Sequence, residues 1–185
     1  MMAVGTLAVL YVLFAAASKP EQTPGGYARF ATGPMRALTV MDTPPPLMTR
    51  TVRDAQGRDT NLRAFTGQVL VVNIWATWCA PCMEEMPTLG ALQRRFAGRI
   101  RVVPVSIDDE GHKAAAQAEL NQLSQNSLPF LIDITRGILF DSAAAGMPVT
   151  IIYDPEGREV ARLAGGADWS SDEAANLMEA VLAEH

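Results

Sequence analysis

Cysteine is nearly absent from this chain: there are two in 185 residues, Cys79 and Cys82. A scaffold stapled by several disulfides is thereby excluded, and so is a four-cysteine zinc site. Histidine is as scarce, with only His112 and the terminal His185, which leaves the cysteine pair without an evident second half of a zinc site. Basic clusters are missing too. The 15 Lys and Arg are scattered among 20 Asp and Glu, giving a net charge of −5 and a pI near 5.0. Nucleic-acid binding, which relies on clustered cations, drops out. What is present suffices for a core: 49% hydrophobic and 19% charged residues exclude global disorder. No internal repeat is visible.

Charge is missing altogether from Met1 to Ala17, where 15 residues are apolar and only Gly5 and Thr6 interrupt the run. As a helix rising ~1.5 Å per residue it would span about 25 Å, the short end for a bilayer crossing. Two readings follow. Ala15-Ala16-Ala17 before Ser18 fits the cleavage site of a secretory signal, and the uncleaved run fits a signal anchor. Neither has its usual Lys or Arg in front; Lys19 follows instead. No cysteine near the end of the run could carry a lipid. Both readings export the chain. The expectation is attachment to the cell inner membrane through residues 1–17 with the domain facing the periplasm, or release there if cleavage follows Ala17. Residues 18–46, rich in Pro and Gly and ending in Pro44-Pro45-Pro46, read as a linker, and 47–185 as the globular domain.

Within 47–185, strand and helix signals alternate. Asp54-Ala55-Gln56-Gly57 marks the turn of a small opening hairpin. Val69–Trp75 is a continuous β-branched run, as expected of a strand buried on both faces. Ala80–Phe96 has helical spacing at Met83, Met86, Leu89 and Leu92, with Pro87 expected to kink it. A second buried strand over Ile100–Ile107, an Ala-rich helix over Glu110–Leu123 and a short strand within Leu128–Ile132 follow. Val149–Tyr153 and Glu159–Leu163 flank the turn Asp154-Pro155-Glu156-Gly157, and Ser171–Glu184 closes as a helix capped by Ser170 or Ser171. The pattern is that of an α/β sandwich.

Cys79-Ala80-Pro81-Cys82 stands where the strand Val69–Trp75 gives way to a helix. Unpaired N–H groups at a helix N-terminus favour thiolate over thiol, so Cys79 is expected to ionise below the reference ~8.5. Two intervening residues let Cys82 close onto Cys79, and Pro81 is harmless in a first turn whose N–H groups have no intrahelical partner. Covalent haem attachment needs His after the second cysteine, where Met83 stands. The spacing suits reversible oxidation of one dithiol.

Trp75-Ala76-Thr77-Trp78-Cys79-Ala80-Pro81-Cys82 resembles the active-site segment of the thioredoxin superfamily. Its continuation, Met83-Glu84-Glu85-Met86-Pro87, resembles the exported TlpA-like branch. Gly146-Met147-Pro148-Val149-Thr150 is similar to that family's cis-proline loop. The resemblance implies a thioredoxin-like fold: a central mixed β-sheet flanked by helices, with an N-terminal β-hairpin and an inserted helix. It also implies that Cys79 attacks a substrate disulfide and Cys82 resolves the mixed disulfide. Trp78, Ala80, Pro81, Met147 and Pro148 would border the bound substrate. The Cys79–Cys82 disulfide would be the only redox group, with no separate cofactor and no metal. Implied partners are disulfide-containing proteins of cytochrome c or cytochrome oxidase maturation and a membrane thiol electron donor.

Glu85 lies one turn beyond Cys82 and could exchange a proton with it. A first-turn glutamate complementing the helix dipole is the plainer alternative; the TlpA-like resemblance favours the acid/base role. Cytoplasmic thioredoxins keep an aspartate six residues before the first cysteine, where this chain has the non-titrating Asn73. Trp75 reads as core, Trp78 as active-site rim, and His112 as solvated surface. Two other functions compete, a disulfide-forming oxidant and a copper-binding assembly factor, the latter lacking an obvious third ligand.

Overall fold

The computed structural model describes residues 26–41, 43 and 45–185; the apolar run 1–17 lies outside them, with both readings of it. Eight strands form one mixed sheet: β1 (Leu38–Thr39), β2 (Val52–Asp54), β3 (Asp59–Thr60), β4 (Val69–Trp75), β5 (Ile100–Ser106), β6 (Leu131–Ile132), β7 (Val149–Tyr153) and β8 (Glu159–Ala164). Their order across the sheet is β1-β8-β7-β4-β5-β6-β2-β3. The helices are α1 (Ala80–Arg95), α2 (Lys113–Ser124), α3 (Gly137–Asp141) and α4 (Asp172–Glu184).

The all-buried β4 takes the sheet's interior because β-branched side chains suit both of its covered faces. It runs parallel to β5 and antiparallel to β7. Both hairpins use one local solution. In Asp54–Arg58 and again in Asp154–Arg158, the aspartate carboxylate accepts from the arginine backbone N–H and Nε. Gly57 and Gly157 supply the positive φ (+78° and +82°) that closes each turn. Ser171 caps α4 by accepting from the Ala174 N–H at 3.3 Å.

Three expectations need correction. Of the linker expected over 18–46, residues 26–39 are not free, while 18–25, 42 and 44 lie outside the described residues. The 3₁₀ turns Gly26–Phe30 and Gly33–Met35 pack against α4, β1 pairs with β8 and so forms one edge of the sheet, and Tyr27, Met35 and Leu38 are buried. Pro and Gly forbid a long helix there but not short turns: Pro34 sits in the first turn of a 3₁₀ helix, where its missing N–H costs nothing. The strand within Leu128–Ile132 shrinks to two residues, and the helix from Glu110 opens as a 3₁₀ turn, with α2 beginning only at Lys113. The five-residue α3 had no periodicity to reveal it.

Helices α1 and α2 cross at Gly90. A Cβ there would stand 3.0 Å from both the Cα and the carbonyl oxygen of Ser124. Gly90→Ala is therefore expected to destabilise. Forcing two backbones apart costs about 1–3 kcal/mol, against a helix-propensity gain of about 1 kcal/mol. A urea midpoint equal to or above that of the native chain would contradict this close crossing.

Candidate active site

The β4–α1 junction sets the geometry. The chain leaves β4 at Trp75, turns through Ala76, Thr77 and Trp78, and enters α1 with Cys79 as its N-cap. Thr77 secures the turn by donating its hydroxyl (2.7 Å) and its N–H (3.1 Å) to the buried Asp108, which also accepts from the Ser106 hydroxyl. Cys79 and Cys82 form a disulfide with Cα atoms 5.3 Å apart. Their exposure differs: Cys79 reaches the surface at 7%, whereas Cys82 is fully enclosed. Around them Trp78 stands 60% exposed, and Ala80 and Pro81 are exposed on the first turn. Trp75, by contrast, is fully buried. Pro87 lies inside α1.

The sheet register carries the proline loop to the same end of the molecule. Val149 pairs with Ile74, so half-buried Met147 and buried Pro148, joined by a cis peptide, precede β7 beside the end of β4. The Pro148 carbonyl accepts from Gly165 N–H at 2.8 Å, tying this loop to the segment after β8.

Glu85 is not a surface glutamate complementing the dipole. It is 2% exposed and held from three directions. Its Oε1 accepts from Asn73 Nδ2 (2.8 Å), and its Oε2 from Ala167 N–H (3.1 Å) and the Trp169 indole N–H (3.2 Å). Burial pushes its pKa up from 4.5 to about 7, although these three donors pull the other way. A cavity of about 280 Å3, lined by Pro81, Glu84, Glu85 and Thr88 of α1 and by Gly166, Ala167 and Asp168, connects the carboxyl to solvent beside the cysteine pair. The site can thus hold a proton near neutral pH within one helical turn of Cys82.

Ala167, Trp169, Thr150 and Asp108 escaped the sequence reading as site residues. Ala167 and Trp169 lie 82 and 84 positions from Glu85, and no local pattern announces them. Asn73 did carry a signal, since a lone amide in an otherwise apolar strand must find a partner. His112 is exposed. One grouping among the described residues could hold an ion, Asp154, Glu156 and His185. It lies at the other end of β7 from Pro148, and Asp154 is engaged there by Arg158.

A CxxC disulfide at the N-terminus of the helix following a central strand, with a cis-proline loop beside it, defines a thioredoxin-like redox protein. The AhpC/TSA family profile matches residues 44–163, more than half of the chain, and the chain belongs to that family. It is 33% identical over 109 residues to the thioredoxin-like protein YneN of Bacillus subtilis, covering 57% of this chain and 62% of that one. It is 27% identical over 116 residues to the thiol-disulfide oxidoreductase ResA of Bacillus cereus, covering 62% and 65%. The chain therefore spans under two thirds of the length of these relatives. Among solved structures, a DsbF homologue from Corynebacterium diphtheriae superposes with a TM-score of 0.62 at 21% identity, over 78% of this chain and 91% of that one. A Chlorobium tepidum chain assigned as a thiol:disulfide interchange protein DsbE gives a TM-score of 0.66 at 20% identity, over 77% and 99%. These structures share the fold. The thioredoxin-like architecture and the TlpA-like resemblance are borne out.

Proposed function

We propose that the protein is a thiol:disulfide oxidoreductase that reduces disulfides of partner proteins. The observation that carries this reading is the unequal placement of the two sulfurs at a helix N-terminus, Cys79 at the rim and Cys82 enclosed. In the reduced protein, the Cys79 thiolate attacks one sulfur of a partner disulfide, forming a mixed disulfide and releasing a partner thiolate. Cys82, deprotonated as Glu85 accepts its proton, then attacks the Cys79 sulfur. The second partner thiolate leaves, and the Cys79–Cys82 disulfide forms with two electrons passed to the partner. A membrane thiol donor returns the pair to its reduced form. Trp78, Ala80, Pro81, Met147 and Pro148 border the path along which a partner chain reaches Cys79.

The setting we propose is the periplasmic face of the inner membrane, with residues 1–17 as anchor or cleaved signal, in cytochrome c or cytochrome oxidase maturation. The charge-free apolar run supports export, and the curated ResA relatives support the redox chemistry. No described helix is long and apolar enough to cross a membrane.

The test is a redox titration of the full chain in glutathione buffers together with a disulfide-reduction assay. A reductant should show a potential near the ~−270 mV of thioredoxin; one near the ~−120 mV of DsbA would make it an oxidant and overturn the proposed direction.

A further inference from the structure

Every hydrogen-bond partner of the Glu85 carboxyl is a donor. Asn73 Nδ2, Ala167 N–H and Trp169 Nε1–H all point at it, which satisfies a carboxylate. A protonated carboxyl also carries an O–H that needs an acceptor. The enclosure offers one. Asn73 Oδ1 is buried and has no partner, while the Nδ2 of the same amide serves both Glu85 (2.8 Å) and the Thr150 hydroxyl (2.9 Å).

We infer that Asn73 is a positioning residue whose carboxamide turns over with the protonation state of Glu85. It presents Nδ2 to the carboxylate and Oδ1 to the acid. A half-turn about its last side-chain torsion exchanges the two atoms without moving the strand. Oδ1 then takes the place of Nδ2, within hydrogen-bond reach of Glu85 Oε1. Thr150 follows without repacking, because a hydroxyl accepts from Nδ2 in one state and donates to Oδ1 in the other. The acid at this position in cytoplasmic thioredoxins would bring a second proton into the enclosure, whereas an amide changes face without titrating.

The surroundings leave this exchange to Asn73. From β4 and β7 come Asn73 and Thr150, neither of which titrates. The segment after β8 contributes the Ala167 and Trp169 donors and, on the cavity wall, exposed Asp168. On α1 stand Cys82, one turn away, and exposed Glu84. The cavity lets the proton exchange with solvent. Raised to about 7 by burial, Glu85 spends time in both states near neutral pH. The inference rests on the oxidoreductase reading for its purpose, but the coupling itself belongs to the oxidised protein, where the cysteines do not titrate.

The experiment follows the Glu85 carboxyl carbon and the Asn73 side-chain amide by NMR in the oxidised full chain between pH 4.5 and 9. The two are expected to titrate with one midpoint, the Asn73 amide protons moving upfield as they leave the carboxylate on acidification. Asn73→Leu removes the donor of the carboxylate and the acceptor of the acid together, so the Glu85 midpoint should move by clearly less than the rise of about one pH unit that loss of a fixed donor would cause. Should that variant fail to fold, Thr150→Val offers a second test: the Asn73 amide should still titrate, but with a displaced midpoint. Asn73 amide resonances that stay fixed while Glu85 titrates would overturn the inference, as would a Glu85 midpoint raised by a full pH unit or more in Asn73→Leu. A chain that reduces no disulfide but keeps the coupled titration overturns the oxidoreductase reading and supports this one.

Discussion

Cys79→Ser is expected to lower disulfide reduction to the uncatalysed background, a loss of at least about 1,000-fold, because the one remaining thiol, Cys82, is enclosed and cannot begin the exchange. Cys82→Ser should behave differently. Its Cys79 can still attack, but the mixed disulfide then has no resolving thiol, so one partner stays covalently bound per chain. Burial makes this asymmetry sharp, since Cys79 is 7% exposed and Cys82 not at all. In the reduced native chain, Cys79 should also be alkylated at least about tenfold faster, combining access with its N-cap position. Mass spectrometry of iodoacetamide-labelled peptides reads the order. Faster labelling of Cys82, or a stable mixed disulfide in Cys79→Ser rather than in Cys82→Ser, would reverse the assigned roles. Expressed in its own envelope, Cys82→Ser also captures the partner, and the identity of that partner tests the proposed setting in cytochrome maturation.

Much of this frame is legible in the amino-acid sequence. The run VLVVNIW has no solvent face to offer, so a central strand was the only economical place for it. The two Asp-x-x-Gly turns named both hairpins through the conformational freedom of Gly57 and Gly157. Cys79 and Cys82 announced themselves by spacing and by the strand-to-helix change around them. Other features were illegible for physical reasons. Short elements such as α3 and β6 repeat too few times to show a period. The docking of Gly26–Thr39 depends on surfaces supplied by α4 and β8, far along the chain, whereas its composition speaks only of turns.

Glu85 shows the same division inside the site. Its helical spacing from Cys82 was visible, but its burial was not, because the loop that encloses it follows β8. Trp169, sealed at 0% exposure, supplies one of the three donors and lies in a segment without periodicity. The loop is fixed from both sides. Gly165 donates to Pro148, and Trp169 N–H donates to the Thr88 hydroxyl at 3.0 Å. A continuous path of contacts therefore joins the proline loop, the loop after β8, Glu85, Asn73 and Thr150, which returns to the proline loop two residues on. The residues proposed to meet a partner and the buried carboxyl share one framework.

That enclosure predicts a pH-dependent stability that Glu85→Gln removes. The folded carboxyl holds its proton to about pH 7, whereas the unfolded one releases it near 4.5. Proton binding thus favours the folded state, and its contribution is complete below about pH 4.5. It is lost as pH rises through 7, because the fold then carries a buried carboxylate that the unfolded chain would solvate freely. The difference corresponds to about 3 kcal/mol between the two limits. Glutamine keeps the size of the side chain and never ionises. Relative to the native chain, Glu85→Gln should therefore gain up to about 3 kcal/mol between pH 4.5 and 8, whatever its offset at acid pH. Urea unfolding of both oxidised proteins across that range reads the effect, with the cysteines locked and the exposed histidine His112 common to both. The cysteine chemistry should respond in the reduced protein as well. A neighbouring carboxylate disfavours a thiolate, so its removal should ease cysteine ionisation and shift the pH–rate profile of disulfide reduction to lower pH. Parallel stability curves for the two proteins would mean that the Glu85 carboxyl titrates in the fold as it does in the unfolded chain, despite its burial. An unshifted rate profile would separate its carboxyl from the thiol chemistry.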